Sequence, residues 1–89
     1  MKTVKKVIDL LGVTFEELRG KSIKRRVTDA RTLMAAWLHE SQHVNQLCIA
    51  SLINVNQSAV SKMLRRHKNL LECDSAYRKK WSTIKTISL

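Results

Sequence analysis

Proline is absent from these 89 residues, and aromatic residues make up only 4%. With ordinary apolar content, that composition favours a compact helical domain over a disordered tail. Cysteine is scarce as well. Cys48 and Cys73 match no close metal-ligand spacing and make a poor disulfide framework. The expected setting is therefore the cytoplasm, with Cys48 a small buried thiol inside a helix. No long apolar span is present. The opening Met-Lys-Thr-Val-Lys-Lys resembles the basic start of a secretory signal, but Asp9 interrupts the apolar run behind it and no cleavage site follows. Neither secretion nor membrane crossing is expected. Acidic residues are the other shortage. Seven Asp and Glu against seventeen Lys and Arg leave a formal charge of +10, which implies a polyanionic partner, either nucleic acid or an acidic membrane surface. At this length the chain is expected to form one domain, 1–89, that buries a modest core but no large enclosed catalytic cavity.

What is present is a helix-turn-helix pattern, spanning about 45–72. Ile49, Ala50 and Ile53 mark one face of a short helix for which Asn45 is a candidate cap. Asn54 stands where the chain must turn sharply, and Asn tolerates the left-handed backbone such turns need. Val55 can plug the core from the turn, and Asn56 is a good N-cap for a second helix. In that helix Val60, Met63, Leu64 and His67 face inward at helical spacing, leaving Gln57, Ser58, Ser61, Lys62, Arg65 and Arg66 largely outward. Short polar groups at the leading end with basic groups behind them suit a helix that enters a DNA major groove.

The rest of the chain also has helical periodicity. Val4, Val7, Ile8 and Leu11 predict an amphipathic helix over 3–11 that Gly12 ends. Thr14 and Glu17 form a capping-box pair for a short helix closed by Gly20. Residues 21–26 then predict an exposed basic loop, and Thr28 or Asp29 a cap for the next helix, with Leu33, Met34, Trp37 and Leu38 as its apolar stripe. Asp74 is positioned to cap a last helix with Tyr77, Trp81 and Ile84 on one side and Arg78, Lys79 and Lys80 on the other. No strand, repeat or linker is evident. The predicted class is all-α, a compact bundle of five or six helices around one core.

This order of parts resembles the C-terminal DNA-binding domain of the bacterial replication initiator DnaA, a TrpR-like helical fold, over almost the whole chain. The resemblance is carried by Leu-Arg-Gly-Lys-Ser before the basic loop, by Val-Thr-Asp-Ala-Arg-Thr-Leu-Met-Ala at 27–35, and by the spacing of Asp74, Tyr77, Trp81 and Ile84. It implies that Arg25 enters the minor groove from the basic loop and that Arg31 contacts a phosphate. The family's recognition helix opens with Asp-His-Ser/Thr-Thr, which falls here on Asn56, Gln57, Ser58 and Ala59. The Asp-His pair is missing, Val55 replaces the preceding arginine, and the two-glycine turn is one residue shorter. The resemblance thus carries the family's docking geometry rather than its usual DNA box.

The expected function is sequence-specific binding of double-stranded DNA, in replication initiation, mobile-element function or transcription regulation, as a monomer or DNA-dependent dimer. Base contacts are expected from Gln57, Ser58, Ala59 and Ser61. Arg25, with Lys24 or Arg26, is assigned to the minor groove, and Arg31, Lys62, Arg65 and Arg66 to phosphates. No cofactor or metal is expected. Gly20-Lys21-Ser22 imitates the end of a phosphate-binding loop, but the glycine needed five residues earlier is Phe15, so nucleotide binding is not expected. The competing motif is His39-Glu40-Ser41-Gln42-His43, the helical zinc-protease signature, with His67 or Glu72 as a conceivable third ligand. The chain lacks the sheet and cleft of a protease, and an enzyme is not expected. Two further alternatives are binding of structured RNA or an acidic protein, which explains the charge but not the recognition helix, and an adaptor gripping a partner through Tyr77 and Trp81.

Overall fold

The computed structural model describes residues 2–21 and 23–87. Six α-helices follow one another in it: α1 (Lys2–Leu11), α2 (Phe15–Arg19), α3 (Arg25–Ala36), α4 (Gln46–Leu52), α5 (Gln57–Cys73) and α6 (Ser75–Ile84). A single π-helical turn, Trp37–Ser41, extends α3. The described residues include no strand. The Cα radius of gyration is 11.7 Å, close to the roughly 12 Å expected of a folded domain this long.

Local sequence accounts for most boundaries. Thr14 Oγ1 accepts from the Glu17 amide at 3.0 Å while Glu17 Oε1 accepts from the Thr14 amide at 3.0 Å, completing the capping box of α2. Asn45, Asn56 and Asp74 each accept a backbone N–H three residues on, starting α4, α5 and α6. Gly12 ends α1 at φ 74, a backbone that L side chains rarely adopt. With a cap at Asn56 and no glycine or proline behind it, α5 runs for 17 residues, the longest helix described.

The core is one cluster. Val4, Val7 and Leu11 from α1, Leu18 from α2, Leu33, Met34, Trp37 and Leu38 from α3 and its extension, Ile49 and Ile53 from α4, Val60 from α5, and Tyr77 and Ile84 from α6 are all buried in it. The predicted apolar stripes therefore meet. Trp37 is fully buried, and its indole N–H donates to the Ile87 carbonyl at 2.9 Å. Helix α3 lies at the centre, against α5, α2 and α1, while α5 also packs on α4 and α6.

Three expectations need correction. Helix α3 begins at Arg25, with Lys24 in the N-cap position and no side-chain cap, so neither Thr28 nor Asp29 starts it and the loop keeps only 21–24. Arginine is a good helix former, and the ion pairs of Arg25 and Arg26 help carry the helix start back to Arg25. Cys48 is exposed, because α4 turns Ile49 and Ala50 inward instead. The helix carrying His39 ends at Ser41 in its π turn, and His43 lies beyond it with φ 57. His39 and His43 therefore do not share a helical face. Residue 22 of the Gly-Lys-Ser tripeptide and of the basic loop lies outside the described residues.

Candidate nucleic-acid interface

The junction between α4 and α5 decides what the surface presents. The chain reverses at Asn54, whose φ is 59 and whose side-chain amide donates to the Arg19 carbonyl at 3.3 Å. The turn is thereby tied to the end of α2. Val55 packs against the core, its N–H donating to the Ala50 carbonyl at 2.9 Å. Asn56 Oδ1 takes the Ala59 amide at 2.8 Å, and α5 leaves the turn with Gln57 and Ser58 both exposed.

Successive residues on an α-helix are about 100° apart, which sorts the outward surface of α5 into three strips. Ser58 and Arg65 run along its middle. Ser61 and Lys68 lie on the α4 side, in an open cleft of about 360 Å³ shared with Gln46, His39 and Glu40. Lys62 and Arg66 lie on the α3 side, in a smaller one of about 220 Å³ shared with Thr28, Arg31 and Thr32. Both flanks of the helix are thus concave and basic. Lys62, Arg65 and Lys68 meet no carboxylate within ion-pair distance among the described residues. Arg66 does, at 3.1 Å from Asp29.

The arginines assigned to the loop and to phosphate behave otherwise. Arg31 is only 8% exposed. Its Nε donates to the Leu18 carbonyl at 2.8 Å, and its terminal nitrogen to those of Glu17 at 3.0 Å and Gly20 at 2.6 Å. A five-residue helix leaves its last carbonyls without intrahelical donors. Arg31 supplies those donors, which corrects its assignment as a free phosphate ligand. Arg25 is helical and mostly exposed, paired with Asp74 at 2.9 Å and with Asp29 at 3.4 Å. Arg26 pairs with Glu17 at 2.7 Å and donates to the Gly12 carbonyl at 2.8 Å. That hydrogen bond from Arg26 holds the Glu17 carboxyl below the usual carboxylate range. In the loop itself Lys21, Ile23 and Lys24 are exposed, Ile23 almost completely.

Behind α5, a polar chain braces the helix, running from buried Tyr77 and His67 out to exposed Glu40. The Tyr77 hydroxyl lies 2.6 Å from His67 Nδ1, and Glu40 Oε2 lies 3.2 Å from His67 Nε2. The carboxylate lies near His67 Nε2 without a hydrogen bond to it, and which of His67 Nδ1 and the tyrosine hydroxyl donates depends on the imidazole tautomer. Burial is the larger influence on His67 and lowers its pKa, with Glu40 opposing; burial raises that of Tyr77. The glutamate of the zinc-protease signature thus faces His67, and no group of three or more potential metal ligands occurs among the described residues. Tyr77 is a buried brace rather than a grip for a partner.

Of the expected base-contacting residues, Gln57 and Ser58 stand at the exposed leading turn, and Ala59 is half-buried beside it. Ser61 is half-buried, its hydroxyl donating to Gln46 Oε1 at 2.7 Å. The sequence reading missed Gln46 and Lys68. Lys68 was within reach, since it lies seven residues, or two helical turns, beyond Ser61. Gln46 had no such signal, because it meets α5 only through tertiary packing. The chain matches no protein-family model, no curated protein and no solved structure. No helix among the described residues is long and apolar enough to cross a membrane.

Proposed function

We propose that the chain is a sequence-specific double-stranded DNA-binding module with the architecture of the DnaA C-terminal domain, acting in replication initiation, mobile-element function or transcription regulation. The supporting observation is the leading turn of α5. It carries Gln57 and Ser58 outward, ahead of a surface on which Lys62, Arg65 and Lys68 have no acidic partner among the described residues. Cations left unpaired beside a concave surface displace condensed counterions from a DNA backbone, giving affinity that falls steeply with salt. Helix α5 lies in the major groove, where Gln57 can pair with adenine in a bidentate manner and Ala59 offers a methyl surface to thymine. The loop with Lys24, and Arg25 at its edge, lies toward the adjacent minor groove. Arg25 can exchange its exposed ion pairs for phosphate at little cost, since such pairs contribute about 0–1 kcal/mol.

The test is titration of the purified chain with a random duplex pool at low and raised ionic strength, followed by selection of the preferred site and its placement in the genome. Binding that weakens with salt and converges on one site is expected; indifference to every duplex at low salt refutes the proposal. Replacing Gln57 with Ala is expected to reduce discrimination between the selected site and a scrambled one by about 1–3 kcal/mol. Unchanged relative affinities in competition would remove Gln57 from the reading surface.

A further inference from the structure

A serine hydroxyl is an ambiguous reader of bases, since it carries one donor and two acceptor lone pairs and rotates to suit either partner. In this protein a neighbouring acceptor engages the proton. Ser61 donates its proton to Gln46 Oε1 at 2.7 Å, in a half-buried bond that joins α5 to the first turn of α4. Partial shielding from water strengthens such a bond. The carboxamide Nε2 of Gln46 meets no acceptor among the described residues, so the orientation of the pair is held by the bond to Ser61 alone. Both residues line the open cleft beside the reading surface, with Arg65 and Lys68 next to them.

We infer that Gln46 is a specificity-determining positioning residue that turns Ser61 into an acceptor-only reader of the major groove. The inference rests on the DNA-binding reading above. A hydroxyl whose proton is already engaged offers a base only its lone pairs. In the major groove those match the exocyclic amines of adenine and cytosine and repel the carbonyl oxygens of thymine and guanine. The base facing Ser61 is therefore adenine or cytosine. Gln46 sets that preference without touching the base, by holding the hydroxyl proton away from it.

Selection from a random duplex library with four proteins tests this: the natural chain, Ser61→Ala, Gln46→Ala and Gln46→Glu, each compared first by thermal unfolding. The natural chain should enrich one base pair at the position Ser61 faces, and should lose that preference when the pair's major-groove exocyclic amine is removed. Ser61→Ala should lose that preference, by roughly three- to tenfold for one hydrogen bond, with other positions unchanged. Gln46→Ala should lose it at the same position, because the freed hydroxyl can again donate. Gln46→Glu keeps an acceptor and should retain the preference, while its added negative charge weakens all binding. Should Gln46→Ala fail to fold, Gln46→Lys replaces it: a donor-only side chain leaves the Ser61 proton free and should abolish the preference, and persistence of the preference would overturn the inference. A preference that survives removal of the preferred pair's major-groove exocyclic amine would overturn the inference, as would a Gln46→Ala profile identical to that of the natural chain. So would a Ser61→Ala profile unchanged at every position, or loss of the preference in Gln46→Glu. A natural chain that binds no duplex at low salt would instead sink the DNA reading itself.

Discussion

Basic side chains occupy opposite situations at two places in this molecule. At the corner of α2 and α3, Arg25, Arg26 and Arg31 all have intramolecular partners, and Arg31 is nearly buried among three carbonyls. Along α5, Lys62, Arg65 and Lys68 stand clear of any described carboxylate. The difference shows that net charge measures how many cations a chain has, whereas a binding surface depends on how many remain unengaged after folding. At the corner, cations replace missing helix hydrogen bonds and hold a short helix in place. On α5 they remain available to an external anion.

The sharpest break of this comparison is Arg31→Ala. It should cost about 2–4 kcal/mol of folding stability, because three carbonyls lose a charged donor. Chemical denaturation measures it. A wild-type midpoint together with a shallower salt dependence for DNA would move Arg31 into the α5 group. Replacing Lys62, Arg65 and Lys68 together by Ala should do the reverse. Folding should change little, while the slope of log affinity against log salt should fall by roughly 0.9 for each phosphate no longer neutralised. An unaltered slope would mean that these cations are solvated surface only.

A smaller effect concerns the brace behind α5. Burial lowers the pKa of His67 in the folded state, so the unfolded chain takes up the proton first. Above the ordinary histidine value of 6.5 both states are neutral and the group leaves stability independent of pH. Below it, stability should decline until the folded value is passed, no more steeply than about 1.4 kcal/mol per pH unit. His67→Gln should flatten that acid limb in pH-dependent unfolding; an equally steep limb would place the titrating group elsewhere. The smallest effect expected is Arg25→Ala, whose exposed pairs with Asp29 and Asp74 should contribute about 0–1 kcal/mol. A much larger loss in thermal unfolding would show the loop edge to be as rigidly held as Arg31.

The legible parts of the fold were those set by neighbours along the chain. The capping box at Thr14 and Glu17, the caps at Asn45, Asn56 and Asp74, and the left-handed turn at Asn54 all satisfy backbone groups within a few residues. The start of α3 was misplaced because Arg25 and Arg26 are stabilised partly by Asp74 and Glu17, which periodicity within α3 does not register. At the candidate interface, the exposure of Gln57 and Ser58 could be read from helical phase. The coupling of Ser61 to Gln46 could not, since fifteen residues and a chain reversal separate them. The zinc-protease pattern misled for a similar reason: its spacing presumes a regular helix, and a π turn ends this one before His43.

The sequence by itself determined that the chain would be helical and strongly basic, with α2, α4, α5 and α6 started by short-range caps, because helix periodicity, charge and capping are local properties. Only the tertiary structure decided which cations remain free, which histidine is buried, and which way a serine proton points. Those outcomes depend on groups brought together from distant parts of the chain, where burial and hydrogen-bond geometry fix what an isolated residue leaves open.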